Sequence, residues 1–195
     1  MNILKRVARK AKKILFPNAV MAQQLSPDFY RQVGYAQEGE DLIITRLMRK
    51  ESGFFVDVGA HHPARLSNTY KLYLKGWRGI NIDPLPGSMS LFNDLRPEDI
   101  NLEVAITSET SKAKVRYFMF DEPAFNSLDE KNIADAEAAG NKLTGEVEVK
   151  CASFSTIIED NKDKFSQIDL LTIDVEHHEL NVLQSFPFDQ FQPGI

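Results

Sequence analysis

Asp57, Gly59 and Asp83 are the residues of this chain whose types and spacing most readily do chemistry. Asp57 and Gly59 sit at the end of an apolar run over 54–58, followed by Ala60, His61, His62 and Pro63. Glycine there lets the backbone bend tightly, because it has no Cβ. A dinucleotide pyrophosphate would ask for three glycines in a G-x-G-x-x-G loop, and only Gly59 is present. An acid two residues before that glycine repels a pyrophosphate, yet it helps to hold the cationic methionine end of S-adenosylmethionine, often through water. Asp83 closes a second apolar run over 79–83 and is placed to accept both ribose hydroxyls. Its alternative role is that of a turn-former ahead of Pro84 and Pro86.

The four histidines fall in two pairs, His61-His62 and His177-His178, each just beyond a predicted strand. With Asp174 and Glu176 they offer a neutral imidazole beside carboxylates, the equipment of a general base that deprotonates an acceptor hydroxyl. His62 and Asp174 are the first choices for that base, with Glu176 beside them. The plainer alternative is helix capping and loop packing. The spacing of these groups matches no closed structural metal site.

The elements that must carry these residues read as an α/β chain. A helix over 37–48 puts Leu42, Ile43, Leu47 and Met48 on one side, and Ser52-Gly53 ends it. A strand over 54–58, a helix ending at Gly76 and a strand over 79–83 make a βαβ unit. A short helix near 88–95 and a strand over 100–106 extend it, which implies a Rossmann-like, doubly wound parallel sheet. An insertion at about 109–152 reads as a hairpin-like excursion, with strands over 115–120 and 147–152 around a charged helical stretch at 129–139. A helix at 155–160, a strongly apolar strand over 168–175 and a helix over 179–186 follow.

Bulk composition narrows the partners. The 195 residues are 43% apolar and 26% charged, enough for one well-cored domain, and carry a formal net charge of −5. Residues 1 to 27 hold Lys5, Arg6, Arg9, Lys10, Lys12 and Lys13 and no acid, so the remainder is strongly acidic. Such a body repels nucleic-acid phosphates, and no nucleic-acid partner is expected. Over 1–16 the apolar residues recur at helical spacing between the bases, a basic amphipathic helix that packs on the domain or touches an anionic membrane from one side. Residues 18–34 read as a linker, making 1–34 an arm and 35–195 the domain. A single cysteine, Cys151, and the lack of a long apolar run predict a cytoplasmic, at most membrane-peripheral, protein.

The motifs Gln37-Glu38-Gly39-Glu40-Asp41, Phe55-Val56-Asp57-Val58-Gly59-Ala60, Asn81-Ile82-Asp83 and Ile173-Asp174-Val175-Glu176 stand in an order that resembles the FkbM-type methyltransferases. The resemblance spans 35–186 and extends to Ser67-Asn68-Thr69, Gly76-Trp77-Arg78-Gly79, Pro86-Gly87-Ser88-Met89 and Glu122-Pro123-Ala124-Phe125-Asn126. It implies a class I methyltransferase fold, S-adenosylmethionine as donor, and methylation of a hydroxyl, commonly on a sugar of a glycan or on a natural product. The cofactor set it points to is Glu38, Asp41, Asp57, Gly59, Ala60, His61 and Asp83, completed by Ala105 and Ile106 at the end of the third strand. Asn126 is a further candidate for substrate contact, with an N-cap as its alternative.

Departures from the family pattern generate further expectations. Relatives usually have glycine at the position of His177, so a ring there is expected to crowd the acceptor site. A class I fold also has three strands beyond the one at 168–175. The C-terminal strands are therefore expected to be missing, with residues 192–195 starting the next one and an apolar edge open to a second copy in a homodimer. Two other functions stay open on residues alone: a nicotinamide-dependent oxidoreductase, and a degenerate cofactor-binding module without catalysis.

Overall fold

The computed structural model describes residues 31–108 and 113–195, and the basic arm over 1–16 lies outside them. The first half runs α1 (Glu40–Met48), β1 (Phe54–Val58), α2 (Tyr70–Leu74), β2 (Arg78–Ile82), α3 (Ser88–Leu95), β3 (Ile100–Leu102) and β4 (Ala105–Ile106). The second half runs β5 (Lys114–Phe120), a 3₁₀ turn at Pro123–Phe125, α4 (Asn132–Ala138), β6 (Leu143–Ala152), α5 (Phe154–Asn161), β7 (Leu170–Ile173) and α6 (Glu179–Ser185).

Four strands form a parallel sheet in the order β3-β2-β1-β7. Both β1 and β2 are buried on both faces, as a central parallel strand must be. Alternation along β1 divides the core. Val56 and Val58 join Ile80, Ile82, Phe154, Ile157 and Ile158 on one face, while Phe55 joins Leu72, Trp77 and Leu170 on the other. The chain moves outward from β1 to β2 and β3, then returns to place β7 on the far side of β1. That reversal makes the carboxyl ends of β1 and β7 the switch point at which open α/β sheets bind ligands.

The strand expected over 100–106 is two strands. β3 pairs with β2, and the chain leaves the sheet after Leu102, whose carbonyl accepts from Asp83 N (3.1 Å). The Glu103 carboxylate accepts from Gly87 N (2.7 Å) at the bend. β4 then pairs in parallel with β6, so Ala105 and Ile106 lie beside Cys151 and Ala152 in a second sheet of order β4-β6-β5. The expected hairpin is present as the antiparallel β5–β6 pair, with β6 starting earlier than the apolar pattern suggests because pairing runs on to Phe120 and Leu143. β7 is shorter than the apolar run over 168–175. On its outer side Ile195 N donates to Asp169 O (3.1 Å) and Leu171 N donates to Ile195 O (2.9 Å), the bonding of a parallel neighbour.

One buried ion pair ties the loop after β1 to the far edge of the sheet. Arg96 and Asp99 side chains are both inaccessible, with Nε donating to Asp99 Oδ2 at 2.8 Å. Asp99 also accepts from Gly79 N (3.0 Å) and Asn81 Nδ2 (3.1 Å), and Arg96 Nη1 donates to Thr69 Oγ1 (3.1 Å). The guanidinium lies 5.2 Å from the ring centroids of both Phe55 and Tyr73. Burial pushes the Asp99 carboxyl up, and the Arg96 charge is the largest influence holding it down. Removing the cation strands that carboxylate, so Arg96→Ala is expected to cost about 3 to 5 kcal/mol in urea unfolding at neutral pH. A loss below about 1 kcal/mol would mean that the pair is not the brace described.

Candidate functional site

The tips of β1 and β7 meet with no room between them. A Cβ on Gly59 would lie 1.7 Å from the carbonyl oxygen of Asp174, and the glycine has φ +81°. Asp174 N donates to Val58 O (2.9 Å) just below. On the other side, Gly59 N and Ala60 N both donate to Ile82 O (2.9 and 3.0 Å), which joins the same bend to the tip of β2. Asp83 follows at once. Its Oδ2 accepts from His61 N and its Oδ1 from Leu85 N, each at 2.9 Å. The bond from Leu85 is the turn-forming role, so Asp83 shapes its turn and faces the cleft together. Burial raises its pKa, and the two amide bonds oppose that rise.

These tips floor a cleft. Gly59, His61, Asp83, Ala105, Ile106, Asn126, Asp174, Glu176 and His178 all line it, so nine of the residues picked from the sequence come together. The second sheet and the turn after it supply the roof, through Tyr117, Asn126 and Ser127. Two ties hold that roof. Arg65 forks onto Glu122 (3.1 and 3.3 Å), and Ser127 Oγ donates to Glu176 O (2.5 Å). Arg65 Nη1 also lies 3.0 Å from His61 Nε2, and burial followed by the Arg65 charge lowers the His61 pKa, favouring the neutral ring.

The remaining candidates point elsewhere. Asp57 shares the Phe55 side of β1, away from the cleft, where Thr69 Oγ1 donates to its Oδ2 at 2.6 Å. Ala60 packs on Met89 and Phe92. His62 Nδ1 accepts from Ala64 N (3.0 Å) and Arg65 N (2.8 Å), which commits that nitrogen to its own loop. Glu38 is exposed. Asp41 is fully buried in α1 and accepts from Tyr35 N (2.8 Å). His177 does not line the cleft; its Nε2 is 3.2 Å from Asp135 Oδ2 of α4. Asn126, by contrast, does line the cleft, and it is no N-cap of α4: its Oδ1 accepts from Phe120 N (2.8 Å).

Electrostatically the cleft is acidic. Burial raises the pKa of Asp174, and the neighbouring charges of Glu179 and Glu40 add to the rise. Glu176 is raised by burial, then by Asp174 and Glu179. Carboxylates crowded in this way favour a cationic guest. Among the described residues, no group of three or more His, Cys, Asp or Glu side chains is arranged to hold a metal ion. Tyr117 and Ser127 also line the cleft, and nothing in their local sequence marks them: their places depend on how the second sheet docks.

The family model for the methyltransferase FkbM domain matches residues 57–195. The chain belongs to that family. No curated protein and no solved structure matches it. For this methyltransferase the match covers all three strand tips that floor the cleft, together with the second sheet. No helix among its described residues is long and apolar enough to cross a membrane.

Two outcomes follow for the methyltransferase. His177 has φ +74°, a left-handed conformation that costs a residue with a Cβ about 1 kcal/mol or more. Glycine takes up that conformation without the Cβ penalty, so His177→Gly is expected to raise unfolding stability by about 1 kcal/mol. An unchanged or lower midpoint in denaturant would refute the strain. For Asp57, burial outweighs the Thr69 hydrogen bond and the Arg96 charge and lifts the pKa from 3.8 to about 6. The native state then holds the extra proton between those values, so stability owed to this group falls as pH rises from about 4 to 6. Urea midpoints for Asp57→Asn should gain on the wild type across that window; a constant gap would count against a buried, proton-holding Asp57.

Proposed function

We propose that the chain is an S-adenosylmethionine-dependent O-methyltransferase acting on a hydroxyl, with a sugar of a glycan as the acceptor class. The observation that carries the reading is the pairing across Gly59. On one side Asp83 presents a carboxylate oriented by two backbone amides; on the other, Asp174 and Glu176 present crowded carboxylates. The first suits a ribose diol and the second a sulfonium-bearing, zwitterionic tail. A nicotinamide dinucleotide fits less well, since its pyrophosphate would meet those same acids as like charges.

S-adenosylmethionine, when bound, supplies an electrophilic methyl group. The residues of the chain do the rest. Asp83 accepts from the ribose hydroxyls through the lone pairs its amide partners leave. Asp174, whose raised pKa makes it a stronger base than an ordinary carboxylate, takes the acceptor's hydroxyl proton. Glu176 shares that wall and keeps it negative. His62, with Nδ1 engaged by its own loop, is the weaker candidate for the base. Beyond Leu128 and His178 a second hollow bears Lys114, Arg116, Glu130 and Glu148. These donors and acceptors, paired as Lys114–Glu148 and Arg116–Glu130, suit a hydroxylated acceptor.

S-adenosylhomocysteine is expected to raise the melting temperature of the full chain, whereas NAD is not. Asp83→Asn should weaken that binding at least about tenfold, the loss expected for a hydrogen bond to a charged group. Equal affinity in the variant, measured by calorimetry, would remove the nucleoside from the tip of β2.

A further inference from the structure

Tyr117 is a buried polar side chain of the cleft that the reading above leaves without a role. It comes from β5, outside the parallel sheet, yet its side chain, only 5% exposed, faces the cleft with Asp83 and Asn126. Its neighbours orient the hydroxyl. The Asn126–Tyr117 side-chain hydrogen bond favours the deprotonated phenol, as a bond donated by the carboxamide nitrogen does, while Asn126 Oδ1 accepts from Phe120 N at 2.8 Å. A donor aimed at the phenol oxygen leaves the phenol proton to be given to another group. Burial, followed by the negative charge of Asp83, keeps that proton in place.

Asp83 needs such a partner. A carboxylate can only accept, whereas each ribose hydroxyl both donates and accepts. In a pocket floored by Val58, Ile82, Ala105 and Ile106, a hydroxyl whose oxygen met no donor would lose a hydrogen bond it makes in water. We propose that Tyr117 is the second half of the ribose site, donating its hydroxyl proton to one ribose oxygen while Asp83 accepts from the diol. The inference rests on the nucleoside reading of the cleft. It gives the insertion a task in cofactor recognition: the second sheet carries a donor to the one face of the ribose that the strand tips do not reach.

Calorimetric titration of the full chain with S-adenosylhomocysteine and with its 2′-deoxy and 3′-deoxy analogues tests it. Tyr117→Phe should bind S-adenosylhomocysteine about tenfold more weakly than the wild type does. The same variant should bind unchanged the one analogue that lacks the contacted hydroxyl. Unaltered S-adenosylhomocysteine binding would overturn the proposal and leave the nucleoside reading standing, and so would an equal loss for all three ligands. A wild type that binds none of them sinks both. Should Tyr117→Phe fail to fold, 3-fluorotyrosine placed at position 117 serves instead. Its fluorine signal must move on saturation with S-adenosylhomocysteine, and a fixed signal rejects the contact.

Discussion

Between Gly59 and Asp174 two strand tips approach until a single methyl group would not fit, and the candidate site is built around that contact. A backbone carbonyl takes the space a side chain would fill, so the loop after β1 is pressed against β7 while its amides bond to the end of β2. Three tips are thereby locked in one register. Asp83 and Asp174 face one cavity as a direct result, since each is the first residue beyond its strand. A glycine expected to give way to a ligand gives way first to its own fold.

Behind the loop a polar chain runs from Asp57 through Thr69 and Arg96 to Asp99. It occupies the face of the sheet opposite the cleft and steadies the loop whose other side lines that cleft. Asp57 thus belongs to the support of the site. Its carboxyl, held near neutrality by burial, is tolerable inside the protein because it is half-protonated at mildly acidic pH and hydrogen-bonded by Thr69.

The second sheet converts an open groove into a roofed cleft. The chain can build it only by leaving the parallel sheet at Glu103, because β4 must pair with β6. The roof is then fastened at both ends, to the β1 loop through Arg65 and Glu122 and to the β7 loop through Ser127 and Glu176. Left-handed backbone at Glu176 and His177 turns the chain beneath it, and the His177 ring is directed at Asp135 rather than at the space an acceptor needs.

Periodicity and composition, which are local properties, were enough to define the α/β class, the order of most elements and the acids at the strand tips. The run over 54–58 is apolar because β1 is covered on both faces, and the glycine and acid after it follow from that position. Where a strand leaves one sheet for another is not local: residues 100–106 look uniform, and only the competition between β2 and β6 for partners divides them. The same holds for side-chain direction. Asp57 and Val58 are neighbours in sequence, yet the pleat sends one to the Arg96 network and the other to the cleft. Tyr117 entered the site through docking alone, because the pairing of β5 with β6 and the ties at Arg65 and Ser127 set which of its alternate residues looks inward.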